Sequence, residues 1–304
     1  MTFKPEQIPV PWRPWWQSFA RHLRAENASA ATLENYGQAV RQLALYLGGD
    51  EAPDPTKVNR AQIEGFLGDL LARWRPATAQ TRYKGVKRFF SWLELEGEIE
   101  GSPMLRMKAP TVPEEPPEVL TQQALEKLLK ACDGKDFISR RDRALLAFLI
   151  DTGSRRGEVV GMKLLDLDLE AQTARIVGKG NRPRTVAFGR KTSVDLDRYL
   201  RARAQHTQAP SPMVWIGLHG AIGGGGLHQI IKKRAVQAGI DQRIFPHIFR
   251  HGFAHSWKAA GGSEEDLMQL AGWRSYTMMA RYGKSVASER ARAAHGALSP
   301  RDRL

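Results

Sequence analysis

Four short clusters hold the side chains in this chain that could do chemistry. They are Thr152-Gly-Ser-Arg155-Arg156-Gly-Glu158, Gly178-Lys179-Gly-Asn-Arg182-Pro-Arg184, His247-Ile-Phe-Arg250-His251, and Gly272-Trp273 with Arg281-Tyr282-Gly283. Taken singly, each has an ordinary explanation. Arg155 or Arg156 could pair with Glu158 at a helix start, Lys179 could be a solvated turn lysine, and Tyr282 could be a core aromatic with a satisfied hydroxyl. His247 and His251 stand at i and i+4, the spacing of a zinc pair, but the residues between them are Ile, Phe and Arg. A metalloprotease helix needs a glutamate there as general base, and a guanidinium beside the pair opposes a cation. No metal site is therefore expected.

Taken together, the clusters fit one reaction. Cleaving a phosphodiester without a metal requires fixed cations that neutralise the non-bridging oxygens. Arginine suits this because its planar fork grips phosphate bidentately and stays protonated. Arg155 and Arg250 are the candidates. Tyr282 can serve as nucleophile if a base or a positive field helps to remove a proton whose reference pKa is about 10. Lys179, on a turn, can protonate the leaving 5′ oxygen. No acidic cluster of the two-metal nuclease kind is visible, which complements a tyrosine mechanism.

Positioning these groups takes both strands and helices. Segments 173–177 and 184–188 are short and β-branched, and the turn-forming tetrad Gly178-Lys-Gly-Asn181 separates them. Helical periodicity marks 122–131, 141–152, 194–203, 227–238, 247–260, 264–271 and 275–282, while 223–226, four glycines, reads as a loop. Ahead of this mixed region, residues 109–118 carry four prolines and read as an interdomain linker, dividing 1–108 from 119–304. The first part is helical. One helix opens near the caps Ser29 and Thr32, runs through Leu33, Tyr36, Val40, Leu43 and Leu47, and stops at Gly48-Gly49; others span 60–74 and 78–95. On the last of these, Ala79, Tyr83, Val86, Phe90 and Leu93 share a face opposite Gln80, Thr81, Lys84, Lys87 and Arg88. That polar face has no carboxylate of its own, which suits contact with a phosphate backbone or a major groove.

Charge and composition agree with such a partner. The formal net charge is +14, with 15 basic and 12 acidic residues in 1–108 but 31 and 20 in 109–304. A polyanion is expected, and most of the attraction lies in the second part. The longest apolar run, 144–150, is seven residues, against the ~20 that a membrane span needs. The first twenty residues carry prolines and charge where a signal peptide needs a continuous apolar segment, so export is not expected. A single cysteine, Cys132, excludes an intrachain disulfide and suits the cytosol.

The motifs resemble those of the tyrosine recombinases, or phage-integrase family, which includes the Xer-type recombinases and Cre recombinase. The strongest resemblance lies in Pro246-His-Ile-Phe-Arg-His-Gly-Phe-Ala-His255, Leu267-Met-Gln-Leu-Ala-Gly-Trp273 and Met279-Ala-Arg-Tyr-Gly-Lys-Ser285. Ala31-Thr-Leu-Glu-Asn-Tyr36 and Tyr83-Lys-Gly-Val-Lys-Arg-Phe-Phe-Ser-Trp-Leu93 extend it to the first domain. The resemblance implies a mainly α fold, with a helical SAM-like core-binding domain followed by a mostly helical catalytic domain that holds a small antiparallel sheet. By matching position it makes Arg155, Lys179, His247, Arg250, Trp273 and Tyr282 catalytic, with Glu158 and His251 supporting them. Arg156 falls in a variable slot. Trp273 stands where most members have histidine, as it does in Cre; an indole N–H can still donate to a phosphate oxygen but cannot act in acid–base chemistry.

The resemblance further implies a 3′-phosphotyrosyl intermediate formed without metal, ATP or cofactor. Two double-stranded DNA sites would be bound by a homotetramer, and the segment 286–304 would dock on a neighbouring protomer. Gln80, Thr81, Lys84, Lys87 and Arg88 of the first domain, and Arg182 and Arg184 of the second, are the expected DNA contacts. Core-binding helices that start near residue 12 leave no room for an arm-binding domain, which suits a simple recombinase acting in the cytoplasm at the nucleoid, with a role for an accessory or directionality protein left open. Trp273 and the tail favour a mobile element over Xer-like dimer resolution. The rival readings are a type IB topoisomerase and a catalytically silent DNA-binding regulator.

Overall fold

Side-chain caps set where several helices begin. The oxygens of Ser29, Asn59, Thr121, Asp136 and Ser263 accept from the amides of Thr32, Gln62, Ala124, Ser139 and Asp266. Each satisfies a donor that the first helical turn leaves open, a contribution of about 1 kcal/mol. The computed structural model describes residues 3–113, 118–178 and 182–273, and single positions at 275, 276, 295, 299 and 301. It divides into two units, Met1–Glu114 and Glu115–Leu304.

The first unit comprises α1 (Arg13–Ala25), α2 (Ala30–Tyr46), α3 (Arg60–Arg73) and α4 (Pro76–Leu95). The apolar face expected on α4 is buried throughout, and Phe89 joins it. Phe89 lies at the centre of an aromatic core, with ring centroids 5.5–5.9 Å from those of Trp12, Phe19, Phe90 and Trp92. The α2–α4 packing needs Gly85, because a Cβ there would lie 2.6 Å from that of Ala39.

The second unit runs α5 (Gln122–Lys130), α6 (Phe137–Thr152), α7 (Arg156–Val160), β1 (Leu167–Asp168), β2 (Thr173–Gly178), β3 (Arg182–Ala187), α8 (Arg190–Ala204), β4 (Ile216–Gly217), β5 (Gly220–Ala221), α9 (Gly224–Gln237), α10 (Pro246–Ala259) and α11 (Glu264–Ala271). Strands β1, β2 and β3 form an antiparallel sheet in that order, and β4–β5 is a separate two-stranded ladder. Ala174 and Ile176 of β2 face the core opposite Val186 and Arg184 of β3. The core is α6, buried along most of its length by Leu145, Leu146, Phe148 and Leu149, and covered by α8, α9 and α10 through Leu196, Tyr199, Leu227, Ile231, Ile248 and Phe249.

One expected loop is corrected. Gly224, Gly225 and Gly226 form the first turn of α9, behind an extended Gly223. A Cβ on Gly224 would sit 3.0 Å from Arg156 Nε, so the glycine admits the α7 side chain, and α9 tolerates its low helix propensity there. The Lys179-Gly180-Asn181 turn, the expected 275–282 helix beyond position 276, and nearly all of the 286–304 tail lie outside the described residues, as do 114–117 of the expected linker. No described helix is long and apolar enough to cross a membrane.

Candidate active site

The site forms where α6 ends. Thr152 Oγ1 donates to the Phe148 carbonyl at 2.7 Å and meets Ser154 Oγ at 2.8 Å, which folds the chain back on itself. Gly153 turns the corner in the left-handed region at φ 57°, and a Cβ there would also strike Phe253 at 2.8 Å. Both demands select glycine. The turn delivers Arg155 to the N-cap of α7. Glu158, one turn later, reaches back: its Oε2 accepts from the Arg155 amide at 2.7 Å and its Oε1 from Arg155 Nη1 at 2.9 Å.

Arg250 enters from α10, a helix that Pro246 opens at a position where no amide is needed. Arg250 as a whole is 1% exposed. It donates through Nη1 to the Gly153 carbonyl at 3.0 Å and through Nη2 to the Ala271 carbonyl, and so joins the ends of α6 and α11. Trp273 follows Gly272, which leaves α11 at φ 63°, and its ring lies 5.1 Å beneath the Arg250 guanidinium, a cation–π contact. His247 is exposed on the first turn of α10. Partial burial among its neighbours, then the positive charges of Arg250 and Arg155, lower its pKa, so the imidazole is neutral at pH 7. His251 meets His247 edge to face at 5.1 Å; burial pushes its pKa down to about 4. Among the described residues no cluster of three His, Cys, Asp or Glu side chains gathers to hold a metal.

Five expected site residues, Arg155, Glu158, His247, Arg250 and Trp273, are thus tied together by the ends of α6, α7, α10 and α11. Lys179 and Tyr282 lie outside the described residues. Arg182 is exposed at the end of the hairpin. Arg184, also expected as a DNA contact, turns inward instead. Its Nη1 and Nη2 donate to the two oxygens of Glu158 at 2.6 and 2.9 Å, and its Nε to the Leu270 carbonyl at 3.1 Å. The signal was present in the sequence: Arg184 is two residues from core Val186, and period two places both on one face of the strand. Glu158, with four donors around a buried carboxylate, has its pKa lowered despite burial, through Arg184 first and then Arg155.

The polar face of α4 is only partly as expected. Thr81, Lys84 and Lys87 are exposed, with Lys87 Nζ 5.8 Å from the Tyr83 ring centroid. Gln80 donates to the Pro110 carbonyl at 3.3 Å and accepts from Lys84 at 3.2 Å. Thr81 caps the Ala77 carbonyl. Arg88 meets the Glu26 carboxylate at 2.5 Å, so a carboxylate absent from that face is supplied from the end of α1.

Residues 118–289 match the Phage integrase family and residues 16–97 the Phage integrase N-terminal SAM-like domain. The chain is similar to tyrosine recombinase XerD of Listeria monocytogenes serotype 4b (strain F2365), at 28% identity over 250 residues, covering 80% of this chain and 84% of the relative. In fold it is similar to the XerH site-specific recombinase bound to a palindromic difH substrate in a post-cleavage complex. That likeness has a TM-score of 0.74 at 18% identity over 94% of this chain and 84% of the other. A lambda integrase tetramer bound to a Holliday junction matches with a TM-score of 0.69 at 16% identity, over 86% and 77% of the two chains. The helical first unit and the small-sheet second unit coincide with these matches, and the chain belongs to the phage integrase family, the tyrosine recombinases.

Proposed function

We propose that this chain cuts and rejoins DNA at specific sites through a 3′-phosphotyrosyl intermediate. The observation that carries the reading is the meeting of Arg155, Arg250 and a neutral His247 at the end of α6, backed by Trp273 and by a fully bonded Glu158. Tyr282 attacks the scissile phosphorus, the P–O5′ bond breaks, and the phenolic proton passes toward His247, whose lowered pKa keeps it able to accept. Lys179 gives its proton to the departing 5′ oxygen. Arg155 and Arg250 hold the charge that grows on the non-bridging oxygens, and the indole N–H of Trp273 adds a donor without a titratable proton. Attack of a partner's 5′ hydroxyl on the phosphotyrosine reverses the step and joins the exchanged strand. Bond energy is retained in the phosphotyrosine, so no nucleotide is consumed.

In this reading the active species is a tetramer on two duplex sites, and 286–304 docks on a neighbouring protomer. Arg182 and the exposed face of α4 contact the duplex. Trp273 and the tail support service to a mobile element, while similarity to XerD supports dimer resolution instead. The test uses the full chain with nicked suicide duplexes from the flanks of its own gene. A covalent protein–DNA adduct is expected with wild type and none with Tyr282→Phe. An adduct that persists in Tyr282→Phe would overturn the assignment, and relaxation of plasmids that lack any target site would favour a topoisomerase. Sequencing the joined products separates the two roles: insertion or excision junctions fit a mobile element, and plasmid multimers reduced to monomers fit resolution.

A further inference from the structure

We propose that Arg184 is a positioning residue that keeps the Arg155 guanidinium turned toward phosphate, given the phosphate-cleaving site described above. Glu158 is 3% exposed and accepts from Arg184 Nη1 and Nη2, from Arg155 Nη1 and from the Arg155 amide. Those four donors fill the roughly four lone-pair sites of a carboxylate. Arg184 takes Glu158 with the bidentate fork geometry, so Arg155 need give it only one guanidinium N–H. If Arg184 were removed, the buried carboxylate would lose its main counter-charge. Among the described residues the other cation bonded to Glu158 is Arg155, which would then swing onto the carboxylate with its whole fork. The phosphate would lose a bidentate partner without any change in Arg155 itself.

The surroundings of Arg184 are built for this geometry. It stands on the core face of β3 opposite Ile176, and its Nε is anchored on the Leu270 carbonyl, three residues before Trp273. Two glycines shape its slot. A Cβ on Gly272 would lie 3.1 Å from Arg184 Cδ, and one on Gly178 would lie 3.1 Å from Glu158 Oε1. A lysine is a point charge on a flexible stem and cannot span both Glu158 oxygens and the Leu270 carbonyl at once. Arg184 therefore sets Arg155, and registers the α11 exit against the same carboxylate.

The test compares Arg184→Gln, Arg184→Lys, Arg155→Lys and the Arg155→Lys/Arg184→Gln pair in the full chain. Single-turnover cleavage is measured on suicide duplexes carrying a scissile phosphate or a neutral methylphosphonate. In parallel, the Arg155 Nε–H resonance, assigned by its loss in Arg155→Lys, is followed by 1H–15N NMR. Arg184→Gln is expected to slow cleavage of the phosphate by roughly a hundredfold, the scale of a misplaced catalytic group. The loss should shrink on the methylphosphonate, where there is less charge to hold. It should add nothing to Arg155→Lys, and the Arg155 resonance should move; Arg184→Lys should fall between. Equal losses on both substrates, losses that multiply with Arg155→Lys, or an unmoved resonance would each overturn the proposal. If Arg184→Gln does not fold, Arg184→Lys carries the same comparisons. Absence of any adduct with wild type would end the recombinase reading, while the resonance would still decide whether Arg184 positions Arg155.

Discussion

Single residues at the end of α6 work under tight constraints. Gly153 combines a positive φ with a 2.8 Å approach to Phe253, and its carbonyl holds Arg250. Gly153→Ala is expected to destabilise the second unit by about 2–4 kcal/mol, from left-handed strain plus overpacking. Urea unfolding checks this, and adduct formation should fall with it because the Arg250 anchor shifts. His251 gives a pH dependence whose sign follows from burial. Its folded pKa of about 4 lies below the ordinary value near 6.5, so between these values the unfolded chain binds more protons. The stability contributed by keeping it neutral is complete above pH 6.5 and is lost as the pH falls toward 4. His247 shifts in the same direction, and Glu158 adds its own loss below its ordinary range. The melting temperature should therefore drop from pH 7.5 to 5, and the drop should be smaller in His251→Gln.

At the scale of elements, most segments were legible from periodicity because their burial is one-sided. On α4 the three-and-four spacing of Ala79, Tyr83, Val86, Phe90 and Leu93 matches the buried face, and on α11 the expected and observed bounds coincide. α1 was harder to see. Trp16, Phe19, Ala20 and Leu23 do share its buried face, but Pro9, Pro11 and Pro14 blur where its helical pattern begins. The four glycines at the start of α9 read as a loop for the opposite reason: their low helix propensity is visible in the sequence, whereas the Arg156 side chain packed against Gly224 is not. Phe89 shows what an element owes to its neighbours. It touches four aromatic rings, so Phe89→Ala should cost the first unit about 3–5 kcal/mol, read as a lower urea midpoint, with the second unit's own transition unchanged.

For the whole molecule, net charge matters only where it is uncompensated. The formal charge of +14 includes cations such as Arg88 and Arg184 whose guanidinium groups are already met by carboxylates. In the DNA-binding reading, Lys84→Ala and Lys87→Ala should each reduce the slope of log affinity against log salt by about 1. Arg88→Ala should reduce it by less, and Glu26→Gln should steepen it, because Arg88 would then meet phosphate alone. Fluorescence anisotropy across a salt series measures all four. Composition, motif order and helical spacing by themselves pointed to a polyanion partner, nominated the candidate site residues and marked most of the helices, because charge, residue chemistry and local period are properties of a linear chain. Only the tertiary structure decided that Arg184 turns inward to Glu158, that Glu26 answers Arg88 and that Trp273 lies under Arg250. Those pairings join residues 23 or more positions apart, and no local period encodes which distant side chain will share a buried carboxylate or stack on a ring.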